Sequence, residues 1–214
     1  MRFYEFDLNN WPRAETFRHF TKEVPCSYSM TVSLDVTNLL FQTRKAKISF
    51  FAALLYGISR IVNIHPEFRM ATNDAGNPGY FERCNPSYTV FHQNGEYFSN
   101  AWTEFSDDLP RFLTSCREDV ENCLSSGRSK PDAGENIFFV SCIPWTSFSG
   151  FHLNIAESAC SFQPIFTIGK YTDDGERVLL PLAVQVHHAA CDGFHVSRFV
   201  NELQEWANGF VFGV

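Results

Sequence analysis

Positive charge is scarce in this chain: 17 lysines and arginines stand against 24 acidic side chains, for a net charge of −7 over 214 residues. Beyond the short stretch Arg44-Lys45-Ala46-Lys47 there is no basic cluster, which argues against a nucleic-acid partner. Long apolar runs are missing as well. The opening Met1-Arg2-Phe3-Tyr4-Glu5-Phe6-Asp7 has no apolar h-region, and no later segment reaches the roughly eighteen uninterrupted apolar residues of a membrane span. Export and membrane insertion are therefore not expected, and a cytoplasmic protein is. The seven cysteines, at positions 26, 84, 116, 123, 142, 160 and 191, are odd in number and include no Cys-x-x-Cys pair, so neither a metal ribbon nor a disulfide framework is supported. Several lie inside apolar runs, where reduced cysteine acts as a small hydrophobe, in keeping with a reducing compartment. A glycine-rich phosphate loop, an internal repeat and an interdomain linker are also lacking.

What is present is apolar mass. Hydrophobic residues make up 44% of the chain and 23 of them are phenylalanine, enough for one sizeable core in a single domain spanning residues 1–214, with aromatic surface left over for a subunit interface. Patterning predicts an α/β fold. Helices are expected over about 12–22, from Thr37, from Ser49 with Phe51, Leu54, Leu55, Ile58 and Ile61 on one face, and over Leu109–Leu124 behind Asp107-Asp108 as cap candidates. An alternating strand runs from Cys26 to Asp35. Short strands at Phe68–Thr72, Tyr80–Arg83, Tyr88–Gln93 and Glu96–Phe105 read most simply as a meander. Residues Ser125–Gly134 form a polar loop, strands follow at 136–143, 152–156 and 165–171, and a hairpin through Asp173-Asp174-Gly175 leads to the last strand.

That strand carries the chemistry. Val178-Leu179-Leu180-Pro181-Leu182-Ala183-Val184-Gln185-Val186 is almost continuously apolar, as a strand buried on both faces would be, and it ends in His187-His188-Ala189-Ala190-Cys191-Asp192-Gly193-Phe194-His195-Val196. Beyond Gly193, Val196, Phe199, Val200, Leu203 and Trp206 recur at helical spacing. Two adjacent histidines at a strand end, facing a helix start, suit a general base, because the unperturbed histidine pKa of about 6.5 lies near neutrality. Asp192 is badly spaced for a direct proton relay and reads as an anchor for the turn that needs a cation. Two other readings compete: strand-end histidines satisfied by backbone, and a metal site of His187, His188, Cys191 and His195. The second is weakened because adjacent strand residues point to opposite faces.

The motif His-His-Ala-x-Cys-Asp-Gly-Phe-His-Val resembles the signature of the classical trimeric chloramphenicol acetyltransferases. The shorter His-His-x-x-x-Asp-Gly also occurs in dihydrolipoyl acyltransferase cores, condensation domains and plant acyltransferases. The likeness continues through Asn10-Trp11-Pro12-Arg13, His65-Pro66-Glu67-Phe68-Arg69-Met70-Ala71, Tyr88-Thr89-Val90-Phe91-His92-Gln93 and Phe139-Val140-Ser141-Cys142-Ile143-Pro144-Trp145. It implies a two-layer sandwich in which a mixed β-sheet is packed by helices, as in CoA-dependent acyltransferases. It further implies acetyl-CoA as co-substrate, chloramphenicol as acceptor, no metal or prosthetic group, and a homotrimer with active sites between subunits.

By that resemblance His188 is the base, Ser141 stabilises the oxyanion, and Arg13 pairs with Asp192 to hold the loop, leaving His187 a structural role. The antibiotic would lie among Phe20, Val24, Cys26, Tyr28, Thr89, Phe98, Leu153, Ile165 and Thr167, and CoA near Trp145, Lys170 and Tyr171. The chain departs from the family pattern at His19, where an apolar residue is usual, at Ser49, where a basic residue is usual, and in the loop Arg128-Ser129-Lys130-Pro131, which lacks an aromatic wall. An acyltransferase of the same fold with another small acceptor, and a drug-binding relative without turnover, are the alternatives.

Overall fold

The computed structural model describes residues 2–155 and 161–213. In chain order its elements are β1 (Phe3–Glu5), α1 (Ala14–Arg18) continued by a π-helical turn over His19–Glu23, β2 (Ser27–Asp35), α2 (Thr37–Ala46), α3 (Phe50–Ile64), and a 3-10 turn over Pro66–Arg69. Then come β3 (Met70–Thr72), β4 (Pro78–Phe81), β5 (Asn85–His92), β6 (Tyr97–Trp102), α4 (Leu109–Ser126), β7 (Ile137–Ile143), β8 (Ile165–Gly169), β9 (Thr172–Asp173), β10 (Val178–His187) and α5 (Gly193–Gly209).

The helices form where the apolar periodicity places them, and their ends follow local chemistry. Ser49 caps α3 by accepting from the Ala52 amide at 3.2 Å, and Asp108 caps α4 by accepting from Arg111 N at 2.9 Å. Asp107, the other cap candidate, instead bonds Arg83 at 2.6 Å. Gly127 ends α4 with φ of 66°, a left-handed position that glycine adopts without a Cβ penalty.

The main sheet has the order β2-β10-β8-β7-β5-β6, with β9 pairing β10. It is mixed: β5 pairs β7, and β7 pairs β8, in parallel, while the other ladders are antiparallel. Helices cover one face. There Phe166, Phe138, Phe68 and Phe199 bury almost all of their surface, with ring centroids 4.9–5.7 Å apart. Gly57 of α3 is required by close approach, since a Cβ would lie 2.4 Å from the Trp206 ring of α5.

Two sequence expectations are corrected. The meander does not exist as one unit, because β3 and β4 leave the main sheet and join β1 in a separate sheet of order β1-β4-β3. The break falls at Cys84, whose N–H and C=O are both taken by the Asn63 side chain at 2.9 Å, which ends one ladder before β5 begins the next. The strand expected at 152–156 is also absent over residues 152–155, and residue 156 lies outside the described residues. The backbone there is bonded to side chains instead. Phe151 O accepts from Ser29 Oγ at 2.7 Å, Phe151 N donates to Thr31 Oγ1 at 3.2 Å, and the Gln185 amide makes a reciprocal pair with Leu153 N and O at 2.8 and 2.9 Å. This segment thus lies over the open face of β2 and β10, which explains why β10 is buried on both sides and why its polar Gln185 is tolerated at 5% exposure.

Candidate active site

β10 delivers His187 and His188 to a tight turn. Ala190 N and Cys191 N both donate to His187 O at 3.0 Å, and His188 N donates to Cys26 O at 2.9 Å, which ties the turn to the start of β2. The two histidines then part. His187 is 5% exposed, accepts at Nδ1 from Ala189 N at 3.1 Å, and meets Phe162 edge-on at 5.0 Å. Burial lowers its pKa below the usual value, and His188 nearby adds to the effect, so the ring is neutral at neutral pH. His188 keeps 31% of its side chain exposed, with Phe20 stacked on one face at 3.9 Å and 8° and Tyr28 edge-on at 5.3 Å.

Asp192 opens α5 and is held from two directions. Its N–H donates to His195 Nδ1 at 3.0 Å, while its carboxylate forms a salt bridge with the Arg13 guanidinium. Arg13 does more than neutralise it, because Nη2 also donates to His188 O and Ala189 O, each at 3.3 Å. One planar fork therefore joins the helix start and the carbonyls of the histidine turn. Asp192 Oδ1 stands 3.5 Å from His188 Nδ1, close enough to feel its charge but without a hydrogen bond. Burial also lowers the pKa of His195, favouring the neutral ring that its cap role needs.

The remaining sequence candidates fall into separate groups. Phe20, Cys26 and Tyr28 gather at His188, and Val24 stands exposed where the π-helical turn ends. Thr89, Phe98 and Trp145 line one cavity of about 470 Å³ with Phe91, Cys142 and Pro144. Trp145, assigned to CoA by resemblance, thus shares a cavity with two residues assigned to the antibiotic. Burial pushes the Cys142 thiol there up to about 11. Ile165 and Thr167 lie on β8, and Leu153 sits over β10 through its bonds to Gln185. Tyr171 packs edge-on against Phe50 at 6.1 Å and accepts from Arg44 at 3.4 Å, while Lys170 is exposed beside it.

Ser141 is not beside His188 in the same chain. It is aligned with Thr167, and Thr167 with Ala183, so it stands level with a residue five positions before His188. At about 3.3 Å per residue and 4.8 Å per strand, that places the two roughly 16 Å apart along the sheet and about 10 Å apart across it. Ser141 is also only partly buried, on the face shared with Ala183 and Gln185 rather than in the helix-covered core.

Among the described residues, no group of three or more His, Cys, Asp or Glu is placed to hold a metal ion. A second cavity, of about 500 Å³, lies between α3 and α4 against Phe51, Leu113, Val120 and Phe212, and includes none of the residues gathered at His188. The sequence reading missed Gln185, the Phe20 stack on His188 and the capping role of His195. Gln185 had a visible signal, as the one uncharged polar side chain in an apolar run. The other two depend on contacts between distant segments or on ring orientation.

Comparison with known proteins gives a consistent answer. The family model described as chloramphenicol acetyltransferase matches residues 1–204. A chloramphenicol acetyltransferase of Clostridium perfringens is 47% identical over 210 residues, covering 97% of this chain and 100% of the relative. One of Campylobacter coli is 46% identical with the same coverages, and one of Escherichia coli is 45% identical, covering 95% of this chain and 94% of the relative. A solved chloramphenicol acetyltransferase superposes with a TM-score of 0.83 at 20% identity, covering 96% of this chain and 100% of that one. The dihydrolipoamide acetyltransferase of Azotobacter vinelandii has the same fold, with a TM-score of 0.68 at 18% identity over 92% of this chain and 86% of that one. With a family model covering nearly its whole length and near-full-length relatives of such identity, the chain belongs to the chloramphenicol acetyltransferase family and is an acyltransferase.

Proposed function

We propose that the protein inactivates chloramphenicol by transferring an acetyl group from acetyl-CoA to the antibiotic's primary hydroxyl. The observation that carries this reading is the turn itself: His188 is part-exposed and stacked on Phe20, on a loop clamped by Arg13 through Asp192 and two carbonyls. His188 takes the hydroxyl proton at Nε2 as the oxygen attacks the thioester carbonyl. The tetrahedral oxyanion accepts a hydrogen bond from Ser141. Collapse breaks the C–S bond, and the CoA thiolate recovers the proton from the imidazolium. Arg13 and Asp192 hold the loop without touching the reacting atoms, and buried His187 shapes the turn.

Because Ser141 and His188 of one chain stand roughly 19 Å apart by strand register, the reacting pair comes from two copies, and we read the assembly as a trimer with its active sites at the interfaces. Phe20, Val24, Cys26 and Tyr28 line the His188 side of the acceptor site, and Thr89, Phe98, Leu153, Ile165 and Thr167 line the side supplied by the neighbouring copy. Trp145, Lys170 and Tyr171 serve CoA. The six described cysteines are free thiols, in keeping with a cytoplasmic enzyme. The test is release of free CoA thiol from acetyl-CoA with chloramphenicol present, with the acetylated position read by NMR. Brisk acetylation of a different alcohol or thiol, with none of chloramphenicol, would keep the chemistry and remove this acceptor.

A further inference from the structure

The loop Arg128-Ser129-Lys130-Pro131, where the chain departs from its family's pattern, is laced to β6, the last strand in the order of the main sheet. Lys130 N donates to Asn100 O at 2.8 Å, Asn100 N donates to Ser129 Oγ at 2.9 Å, and Trp102 Nε1 donates to Pro131 O at 2.8 Å. The loop thereby covers the strand's outer edge, and the Lys130 ammonium reaches past that edge to α4. It donates to Asp119 Oδ1 at 2.5 Å and to Trp102 O at 3.0 Å, and it lies 4.0 Å from the centre of the Trp102 ring. With its protons so engaged, this ammonium is a pin rather than a contact for a ligand. Asp119, 13% exposed, carries the connection inward. Its Oδ2 accepts from Thr103 Oγ1 at 2.8 Å, which leaves Thr103 to accept from Tyr88 Oη at 2.8 Å, and Tyr88 in turn accepts from Cys116 Sγ at 3.5 Å. A part-exposed cation thus ends a buried chain of hydrogen bonds that joins α4, β6 and β5. That chain straddles one wall of the cavity of about 470 Å³. Tyr88 immediately precedes Thr89, which pairs with Asn100, and Phe91 pairs with Phe98; Thr89, Phe91 and Phe98 all line the cavity. Phe98, Asn100 and Trp102 share one face of β6, opposite buried Ser99 and Ala101.

We propose that Lys130 is a positioning residue for the acceptor: through Trp102 it fixes β6, and through Asp119, Thr103 and Tyr88 it fixes β5, so that Thr89 and Phe98 keep one spacing across the cavity they line. Lys130 itself touches neither the acceptor nor the reacting atoms. The role rests on the reading of Thr89 and Phe98 as acceptor contacts, but the state of the pin can be observed without any acceptor turning over.

The test is Lys130→Met in the assembled enzyme, which keeps the aliphatic stem and removes the charge. The KM for chloramphenicol should rise about tenfold, the loss of one charge-assisted hydrogen bond, while kcat and the KM for acetyl-CoA stay within about twofold. Hydrogen exchange at the Trp102 indole N–H, read by NMR, should quicken at least about tenfold, with the indoles of Trp11, Trp145 and Trp206 unchanged. Because Lys130→Met leaves the Asp119 carboxylate without its partner, the double variant Lys130→Met with Asp119→Asn is made beside it. This double variant should fold at least as well and show the same rise in KM, no larger than either single change gives. Quickened exchange at Trp102 with an unaltered KM for the acceptor would make the pin structural only and overturn the proposal. So would a fall in kcat together with a raised KM for acetyl-CoA, which marks a general loss of the site, or KM effects of the two substitutions that multiply. If the parent enzyme acetylates another alcohol or thiol and leaves chloramphenicol untouched, the acceptor reading fails by itself, and the same comparison of KM values, taken with that acceptor, decides the role of Lys130.

Discussion

Arg13 and Asp192, 179 positions apart in the chain, are joined by a salt bridge at the N-cap of α5. The contact fastens the N-terminal segment to the C-terminal third of the molecule at the loop that carries His188. It also explains why an aspartate too poorly placed to relay protons stands in the motif: its charge recruits the guanidinium that binds the turn's carbonyls.

Arg13→Ala should therefore lower activity without altering any reacting group. Removing one partner of a part-buried pair costs up to about 3 kcal/mol here, at the low end of the usual range because the Asp192 side chain keeps 38% of its exposure. Arg13→Lys should recover part of the stability and less of the activity, since an ammonium cannot fork over a carboxylate and two carbonyls. Denaturant unfolding and turnover, measured on the same samples, check both.

His188→Ala should reduce acetyl transfer by about two to four orders of magnitude while the fold survives, as expected for loss of a general base on a part-exposed ring. His187→Ala should do the reverse, because it opens a cavity beside Phe162 and leaves Ala189 N without its acceptor. Exchanged effects would invert the two roles.

Ser141→Ala should lower kcat by about a hundred- to a thousandfold with little change in KM, since the hydroxyl serves charge that exists only in the transition state. Unfolding and refolding an equal mixture of Ser141→Ala and His188→Ala subunits should restore roughly a quarter of the parental activity, because mixed trimers bring an intact serine against an intact histidine. No recovery in mixed trimers would place both residues in one chain's site.

Stability should fall as the solution is acidified below about pH 6.5. The pKa values of His187 and His195 are lowered by burial, so between the folded and unfolded values the unfolded chain binds protons that the native state does not. The contribution is fully present above the unfolded pKa of about 6.5 and is lost as pH drops toward the folded value. Melting temperatures across about pH 7.5 to 5.5 should show the decline, and His187→Asn should flatten part of it.

Much of the fold was legible because the signals are local. The apolar stripe of α3, the Asp108 cap and the strand ending in His187 each follow from residues within a few positions of one another. The meander was not, since what separates β4 from β5 is Asn63, a side chain on a helix some twenty positions away. The strand expected at 152–156 failed for a related reason. Its apolar alternation is real, but whether an extended segment joins a ladder depends on what faces it, and here Ser29, Thr31 and Gln185 supply side chains in place of a backbone edge.

At the site, the sequence by itself determined which side chains are chemically able to act: a histidine pair at a strand end, an aspartate at a helix start, a serine in an apolar strand. Spacing along the chain also implied that the two histidines would part. Only the tertiary structure decided where each ring went, with His187 under Phe162 and His188 between Phe20 and Tyr28. It alone also showed that Arg13 grips the turn's carbonyls as well as Asp192, and that strand register keeps Ser141 far from His188 of its own chain. The physical reason is one of range: propensity, capping and alternation act over a few residues, whereas ring stacking, ion pairing and register join segments whose separation in sequence carries no information about their separation in space.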